Sequence, residues 1–377
     1  MVLKSYIIPH IAEKRLSQKR LDASRVKFET HRKKSGAEHV VEFFHDPTDP
    51  YSQLLSKVLP EFQKLYDVKL VTHIVSPPDD QAAPQRAKLA AYAKLDAMRL
   101  ASKAKIDFKL EATFSTANTV HGDERRKALG HYNGAMLYYG AEWYWGLDRL
   151  HYLESRLTTL GLRCTNTKQN YIYEPAISPI GSGKVKAQIN WYLSFRSPYT
   201  AIVTPKVKAL ANAYGADLVL RPVLPMVMRG LAVPTLKKNY IPFDAAREAR
   251  RMNVPFGKIC DPIGRPVEMA YSLMAWAQEH GKAYDYAQSW LSAVWSEGVN
   301  AGTHAGLRII IERAGLDWAD AKRILGNDDW RESVADNQSE MMSYGIWGVP
   351  SFRVGDTITW GQDRLWVIED TLRKLRQ

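Results

Sequence analysis

Short apolar runs separated by turns and amphipathic stretches recur along this chain, and one arrangement of them occurs twice. Val41 to Ser52 lies on Ile189 to Thr200 at an offset of 148, and the register holds without a gap to Pro77 on Pro225. In each copy an apolar run enters a turn ending in Pro-Tyr, and a helix-period stretch follows to about Tyr66 or Tyr214. A second apolar run, Val68 to Val75 or Leu218 to Val223, then completes the unit. Runs of this length bounded by turn residues read as strands, so the pattern predicts β-loop-α-β twice.

A second match closes each half. Trp145-Gly-Leu-Asp-Arg-Leu150 and Trp360-Gly-Gln-Asp-Arg-Leu365 each open a helix after two short strand candidates, at an offset of 215. The difference of 67 residues is extra sequence in the second half. Asp244 to Met252, Met269 to His280 and Asp285 to Val299 read as helices within it, and Gln81 to Ser102 is a shorter counterpart in the first half. A β-α-β unit, helices and then β-β-α is the order of a thioredoxin fold carrying a helical subdomain. The expected class is α/β: two thioredoxin-like domains, each a central mixed sheet with an inserted helical subdomain. The expected layout is a basic arm over 1–37, a first domain over 38–160, a linker over 161–185 and a second domain over 186–377. The helical insertion of the second domain is placed at about 225–345.

Charge and cysteine usage narrow the function classes. The formal charge is +12, but residues 1–37 carry ten Lys or Arg against three Asp or Glu, so the remainder is ordinary. In that arm Ile11, Leu16, Leu21 and Val26 recur every five residues, a poor apolar face that predicts a marginal amphipathic helix. It reads as a solvated or packing arm, and no nucleic acid is expected as a partner. The opening apolar run is short and broken by Pro9, and no window approaches a spanning helix. A cytoplasmic protein without a membrane partner is the expectation. Cys164 and Cys260 lie far apart and outside any Cys-x-x-Cys, which argues against a dithiol centre or a zinc knuckle.

The candidate chemistry sits in the second half. Ser197-Pro198 is a helix-start signal, since Ser is a favoured cap and Pro at the first helical position gives up only an amide that lacks a partner. Gly348-Val349-Pro350-Ser351-Phe352 enters a strand with a proline, which a central strand accepts only with a cis bond or an open edge. Together they bracket a slot in which an extended thiol ligand can pair with the backbone at Val349 while its sulfur faces Ser197.

On these residues the second half is similar to the kappa-class glutathione transferases and the 2-hydroxychromene-2-carboxylate isomerases, members of the DsbA-like thioredoxin superfamily. The resemblance spans nearly all of Ile189 to Gln377. It rests on Ser197-Pro198-Tyr199, on Lys237-Lys-Asn-Tyr-Ile241 with Asp244, Arg247 and Val254-Pro-Phe256, on Gly348-Val-Pro350 and on Trp360-Gly-Gln-Asp-Arg-Leu365. It implies that glutathione is the cofactor, that Ser197 hydrogen-bonds its sulfur and that Val349 and Pro350 meet its cysteinyl backbone. Gln362 and Asp363 would hold the γ-glutamyl end, and Lys237 would lie near the glycyl carboxylate. A cap of the last helix is the other reading of Asp363, and a solvated basic patch the other reading of Lys237 beside Lys238. Met226 to Pro234 departs from the polar contacts usual in the family. Tyr199, Met226, Met228 and Trp276, with Leu231, are candidates to line an apolar substrate pocket or to pack a core.

In the first half Asp49 holds the position of Ser197, and a carboxylate there would repel a thiolate. Gly134 to Tyr139 stands where Gly348 to Arg353 does, without the Val-Pro pair. This half reads as a degenerate copy that keeps the fold. Dimerisation, usual in the resembled family, implies that a covalent tandem lets it replace a second subunit as an intramolecular pseudo-dimer. His45, Asp46 and Asp49 are loose metal-ligand types but also common caps, and no metal is expected. The leading expectation is a glutathione-dependent isomerase or transferase acting on a small aromatic electrophile. The alternatives are a non-catalytic thioredoxin-fold binding module and, ranked last, a serine hydrolase using His280 or His304, which lacks a Gly-x-Ser-x-Gly elbow.

Overall fold

The structure, a computed structural model, describes residues 2–112, 118–164, 170–176 and 181–376. The segment 161–185 expected as a linker lies partly outside the described residues. The chain divides into two compact units. The first comprises Lys19–Pro175 with Val233–Lys238, and the second Met1–Gln18 with Ala176–Ala232 and Asn239–Gln377.

The basic arm is therefore shared out. Helix α1 (Val2–Leu16) belongs to the second unit, where Leu16 is buried and its carbonyl accepts a hydrogen bond from Arg250 Nη1 at 2.9 Å. Helix α2 (Gln18–Lys34) belongs, from Lys19 on, to the first unit, and Arg25 pairs in bidentate fashion with Glu142 at 2.7 and 2.9 Å. Two helices replace the one marginal helix expected. Long-range hydrogen bonds and the burial of Leu16 anchor them where their weak apolar faces do not.

In the first unit β1 (Val40–His45), α3 (Pro50–Leu65) and β2 (Lys69–Ile74) form the β-α-β unit, with β1 and β2 parallel. Helices α4 (Arg86–Lys103) and α5 (Val120–Ala128) follow. Then come β3 (Met136–Tyr139), β4 (Glu142–Trp145) and α6 (Gly146–Thr159), and the sheet order is β2-β1-β3-β4. β1 is central and buried on both faces, which is why Val41, Phe43 and Phe44 form a nearly continuous apolar run.

The second unit repeats this order. β5 (Gln188–Leu193), α7 (Pro198–Tyr214) and β6 (Asp217–Pro222) lead to α8 (Thr235–Arg251), whose first residues to Lys238 count with the first unit. Helices α9 to α14 are Arg265–Ser272, Met274–Glu279, Ala283–Ser292, His304–Arg313, Trp318–Ile324 and Trp330–Ser343. β7 (Ser351–Val354), β8 (Thr357–Trp360) and α15 (Leu365–Leu375) complete it, with sheet order β6-β5-β7-β8. Both sheets are mixed, as the class expected from sequence requires: one parallel pair and two antiparallel pairs each.

Pairing fixes the correspondence between the units more tightly than the sequence did. Glu42 faces Tyr138 and Asn190 faces Arg353, so β3 and β7 correspond at an offset of 215. Ala135, at a positive φ of 53°, thus takes the place of Pro350, one residue away from the match made on the glycines. The offset of 148 also carries α4 onto α8, and that of 215 carries the end of α5 onto the end of α14. Each of the latter pair packs on the edge strand, α5 on β2 and α14 on β6. The extra segment of the second unit accordingly begins after α8 and runs to α14, within the helices that lie between β6 and β7. Its helices bury Tyr271, Tyr286, Trp290 and Trp295 in one core with Trp191 and Phe195 of the sheet side. Each large apolar side chain so buried contributes about 1.5–3 kcal/mol.

Candidate functional site

Ser197 ends the loop after β5 and caps α7. Its backbone is extended and its Oγ accepts from the Thr200 amide at 3.2 Å, while Pro198 occupies the first helical position. The helix start thereby keeps partly unpaired amides and the positive end of its dipole on the side where Ser197 stands.

The Ser197 hydroxyl points at the Val349 carbonyl, 3.5 Å away. Oxygen–oxygen hydrogen bonds centre near 2.7–2.8 Å, so this one is at the long limit and leaves the proton easy to redirect. The Val349–Pro350 bond is cis, and Pro350 stands just before β7, outside the strand ladder. Ser351 Oγ donates to the Gly348 carbonyl at 2.7 Å and so holds the turn. The Trp360 ring covers Gly348 so closely that a Cβ there would run into it. Val349 is half-buried, and among the described residues its amide takes no partner, as a ligand backbone pairing there requires.

The 3₁₀ turn Gln362–Arg364 is drawn to the same place, because the Gly361 amide donates to the Pro350 carbonyl at 2.9 Å. Gln362 is only 8% exposed, yet its Nε2 finds no acceptor among the described residues. A buried amide donor without a partner costs on the order of 1–3 kcal/mol and marks a place for an acceptor. Asp363 pairs with Arg364 Nη1 at 3.4 Å. It is not the cap of α15, whose cap position is Arg364, so that reading from sequence is corrected.

The Lys237 ammonium donates to the Ala82 carbonyl at 2.9 Å. Burial pulls this ammonium down to about 8. Met228 and Trp276 pack against the main core, the second of the two readings the sequence left open, and Trp276 also contacts His280 at the end of its helix. Met226 is half-buried in the 3₁₀ turn Met226–Arg229, and Leu231 is half-buried just after it. The hydrolase reading has no support: His280 Nδ1 meets the Trp276 carbonyl, His304 packs on Trp318, and neither reaches Ser197.

Tyr199 serves as a strut. Its hydroxyl donates to Asp244 Oδ2 at 2.8 Å, Tyr240 donates to Oδ1 at 3.3 Å, and Asp244 is 1% exposed. The first unit holds the same hub: Tyr51 donates to Asp96 Oδ2 at 2.7 Å and Tyr92 to Oδ1 at 3.2 Å. All three residues correspond at the offset of 148, as do Arg99 and Arg247. Extending the sequence match beyond Pro77 would have found the hub.

In the first unit the Asp49 carboxylate caps α3 through the Tyr51 and Ser52 amides. Burial, then the nearby Asp46, push its carboxyl up to about 7. Asp46 caps Thr48, and His45 Nδ1 contacts Ser52 Oγ, so each serves the loop locally. Among the described residues no group of three or more His, Cys, Asp or Glu is placed to hold a metal. Cys164 and Cys260 are free thiols, and burial pushes the Cys260 thiol up, away from reactivity. No helix is long and apolar enough to cross a membrane among the described residues.

Strand order, helix cap and the cis turn together define a thioredoxin-type domain. Residues 188–373 match the family model described as DSBA-like thioredoxin domain, and this segment is a DsbA-like thioredoxin domain. The 2-hydroxychromene-2-carboxylate isomerase of Pseudomonas putida is 21% identical over 195 residues, covering 50% of this chain and 95% of its own. That of Sphingobium xenophagum is 26% identical over 202 residues, covering 49% and 97%. A solved 2-hydroxychromene-2-carboxylate isomerase aligns with a TM-score of 0.44 at 21% identity, over 50% of this chain and 95% of that one.

Proposed function

We propose that the second unit is a glutathione-dependent isomerase or transferase of the 2-hydroxychromene-2-carboxylate isomerase kind, acting on a small aromatic electrophile. The observation that carries this reading is the Ser197 hydroxyl at the start of α7, 3.5 Å from the Val349 carbonyl of the cis turn. The relatives named above supply the reaction class, and the likeness to kappa-class glutathione transferases supplies the thiol.

In this reading the glutathione cysteinyl backbone pairs at Val349 and its sulfur accepts the Ser197 proton. A free thiol of pKa about 8.5 is only about 3% ionised at pH 7, and lowering it by two units takes about 2.7 kcal/mol. A helix N-terminus contributes up to about 2 kcal/mol and a hydrogen bond to a charged group about 1.5–3 kcal/mol. The two suffice without a base. The thiolate then adds to an activated carbon of the electrophile. Rotation or ring opening follows, and elimination returns the thiolate, so that an isomerisation leaves glutathione unchanged. The Gln362 amide, buried and without an acceptor, suits the γ-glutamyl end beside Asp363. The two units, on the same reading, are copies of one ancestral domain, the first having exchanged its thiol-facing hydroxyl for Asp49.

Calorimetry with glutathione tests this. Binding at millimolar or tighter affinity is expected, weakened about tenfold in Gln362→Leu, whose melting temperature does not fall because the apolar side chain removes a buried unpaired donor. Absence of any heat or melting shift with glutathione would favour the non-catalytic binding module.

A further inference from the structure

Arg229 contacts the segment leading into the cis turn, and among the described residues no ion pair compensates its charge. It ends the 3₁₀ turn after β6, and its Nη2 donates to the Trp347 carbonyl at 2.9 Å. That carbonyl is two residues from the Val349 carbonyl facing Ser197, and two residues of chain span no more than about 7 Å. Ser197 and Arg229 therefore grip the same turn from two points.

A guanidinium offers five N–H donors, and this one places a single donor, on a neutral carbonyl. Its Nε is out of solvent with no acceptor, and no Asp or Glu forms an ion pair with it among the described residues. Burial accordingly pulls its pKa below the ordinary arginine value. Arg196, adjacent to Ser197, shows the contrast: its guanidinium is paired with both oxygens of Asp261 at 2.8 Å. A half-buried guanidinium without an anion is unfavourable unless a ligand supplies one. A carboxylate matches its fork. The indole Nε1 of Trp347, buried and also without a partner, adds a further donor at the same turn. In the first unit, where Asp49 replaces Ser197, the position of Arg229 is held by Gln81 at the offset of 148. Lys237, expected from sequence to meet a carboxylate, is occupied by Ala82.

We propose that Arg229 is the carboxylate-recognising residue of the Ser197 slot and selects ligands that place a carboxylate beside the Trp347–Val349 turn. This rests on the reading of that slot as a ligand site. The carboxylate belongs to the aromatic electrophile or to the thiol tripeptide, and the test separates the two.

The test is titration calorimetry on the full chain with glutathione, cinnamate and methyl cinnamate, for wild type, Arg229→Gln and Arg229→Lys, with circular dichroism as the check on folding. Arg229→Gln is expected to lose about tenfold in affinity, the size of one charge-assisted contact. Loss on cinnamate but not on its ester assigns the carboxylate to the electrophile, and loss on glutathione assigns it to the tripeptide. Arg229→Lys, which keeps the charge and loses the fork, falls between and decides the matter where the Gln variant does not fold. Unchanged affinity for both acids overturns the proposal, as does a wild type that binds neither. A wild type indifferent to glutathione that separates cinnamate from its ester through Arg229 sinks the glutathione reading alone.

Discussion

The two units have the same strand order, the same pairing register and the same Tyr–Asp–Tyr hub, and they differ in the extra helices of the second unit and around the start of one helix. Asp49 caps α3 where Ser197 caps α7, Ala135 stands for Pro350, and Gln81 stands for Arg229. What recurs in both units, Asp96 with Tyr51 and Tyr92 and Asp244 with Tyr199 and Tyr240, serves the architecture. It ties the first turn of the helix after the central strand to the next long helix. What differs, beside the extra helices of the second unit, is the helix start and the turn that faces it. The comparison thus separates fold from chemistry within one chain, and it gives Tyr199 the architectural contact that its counterpart Tyr51 makes beside Asp49.

The comparison breaks most readily at the hub. Asp96→Ala and Asp244→Ala each remove a buried carboxylate that accepts from two tyrosine hydroxyls, and each is expected to destabilise its own unit by about 3 kcal/mol. Amide hydrogen exchange resolved by unit is the measurement, since a two-unit chain does not give one unfolding free energy. A loss confined to Asp244→Ala would mean that the hub serves the site rather than the fold.

A smaller effect is expected from pH. Burial holds the carboxyls of Asp49 and Glu154 up to about 7, so between the ordinary carboxylate range and pH 7 the folded first unit binds more protons than its unfolded chain. Stability from these groups is therefore fully present below pH 4 and lost as pH rises through about 7, by about 2 kcal/mol in all once solvent screening is allowed for. Asp49→Asn keeps a capping side chain and should flatten this dependence. An unfolding free energy of the first unit that stays level from pH 5 to 8, in the wild type, would contradict the assignment.

Much of this was legible in the sequence because strands and caps are local signals. The two β-α-β units showed as apolar runs at one offset, and Ser197-Pro198 announced the start of α7. The one-residue slip between Gly134 and Val349 arose because glycines were matched to glycines, whereas the register is set by Glu42 facing Tyr138 across the sheet. Arg229 gave no signal, since its partner is a backbone carbonyl 118 residues away, and a carbonyl carries no side-chain identity. Lys237 looked like a ligand because its motif fits, but its ammonium donates to the Ala82 carbonyl, a partner that side-chain identity does not announce. Met228 and Trp276 were open between pocket and core, and helical spacing alone does not distinguish the two.

The central claim is that the start of α7 and the Ser197 hydroxyl hold a bound sulfur as its anion. The direct measurement is the ultraviolet absorbance of the thiolate, titrated with pH for glutathione bound to the wild type, to Ser197→Ala and to Ser197→Asp. The account predicts a bound thiol of pKa about 6.5, two units below a free one. In Ser197→Ala it should return at least one unit toward the free value, and no thiolate should be held in Ser197→Asp. A bound thiol that titrates like free glutathione in the wild type would contradict it.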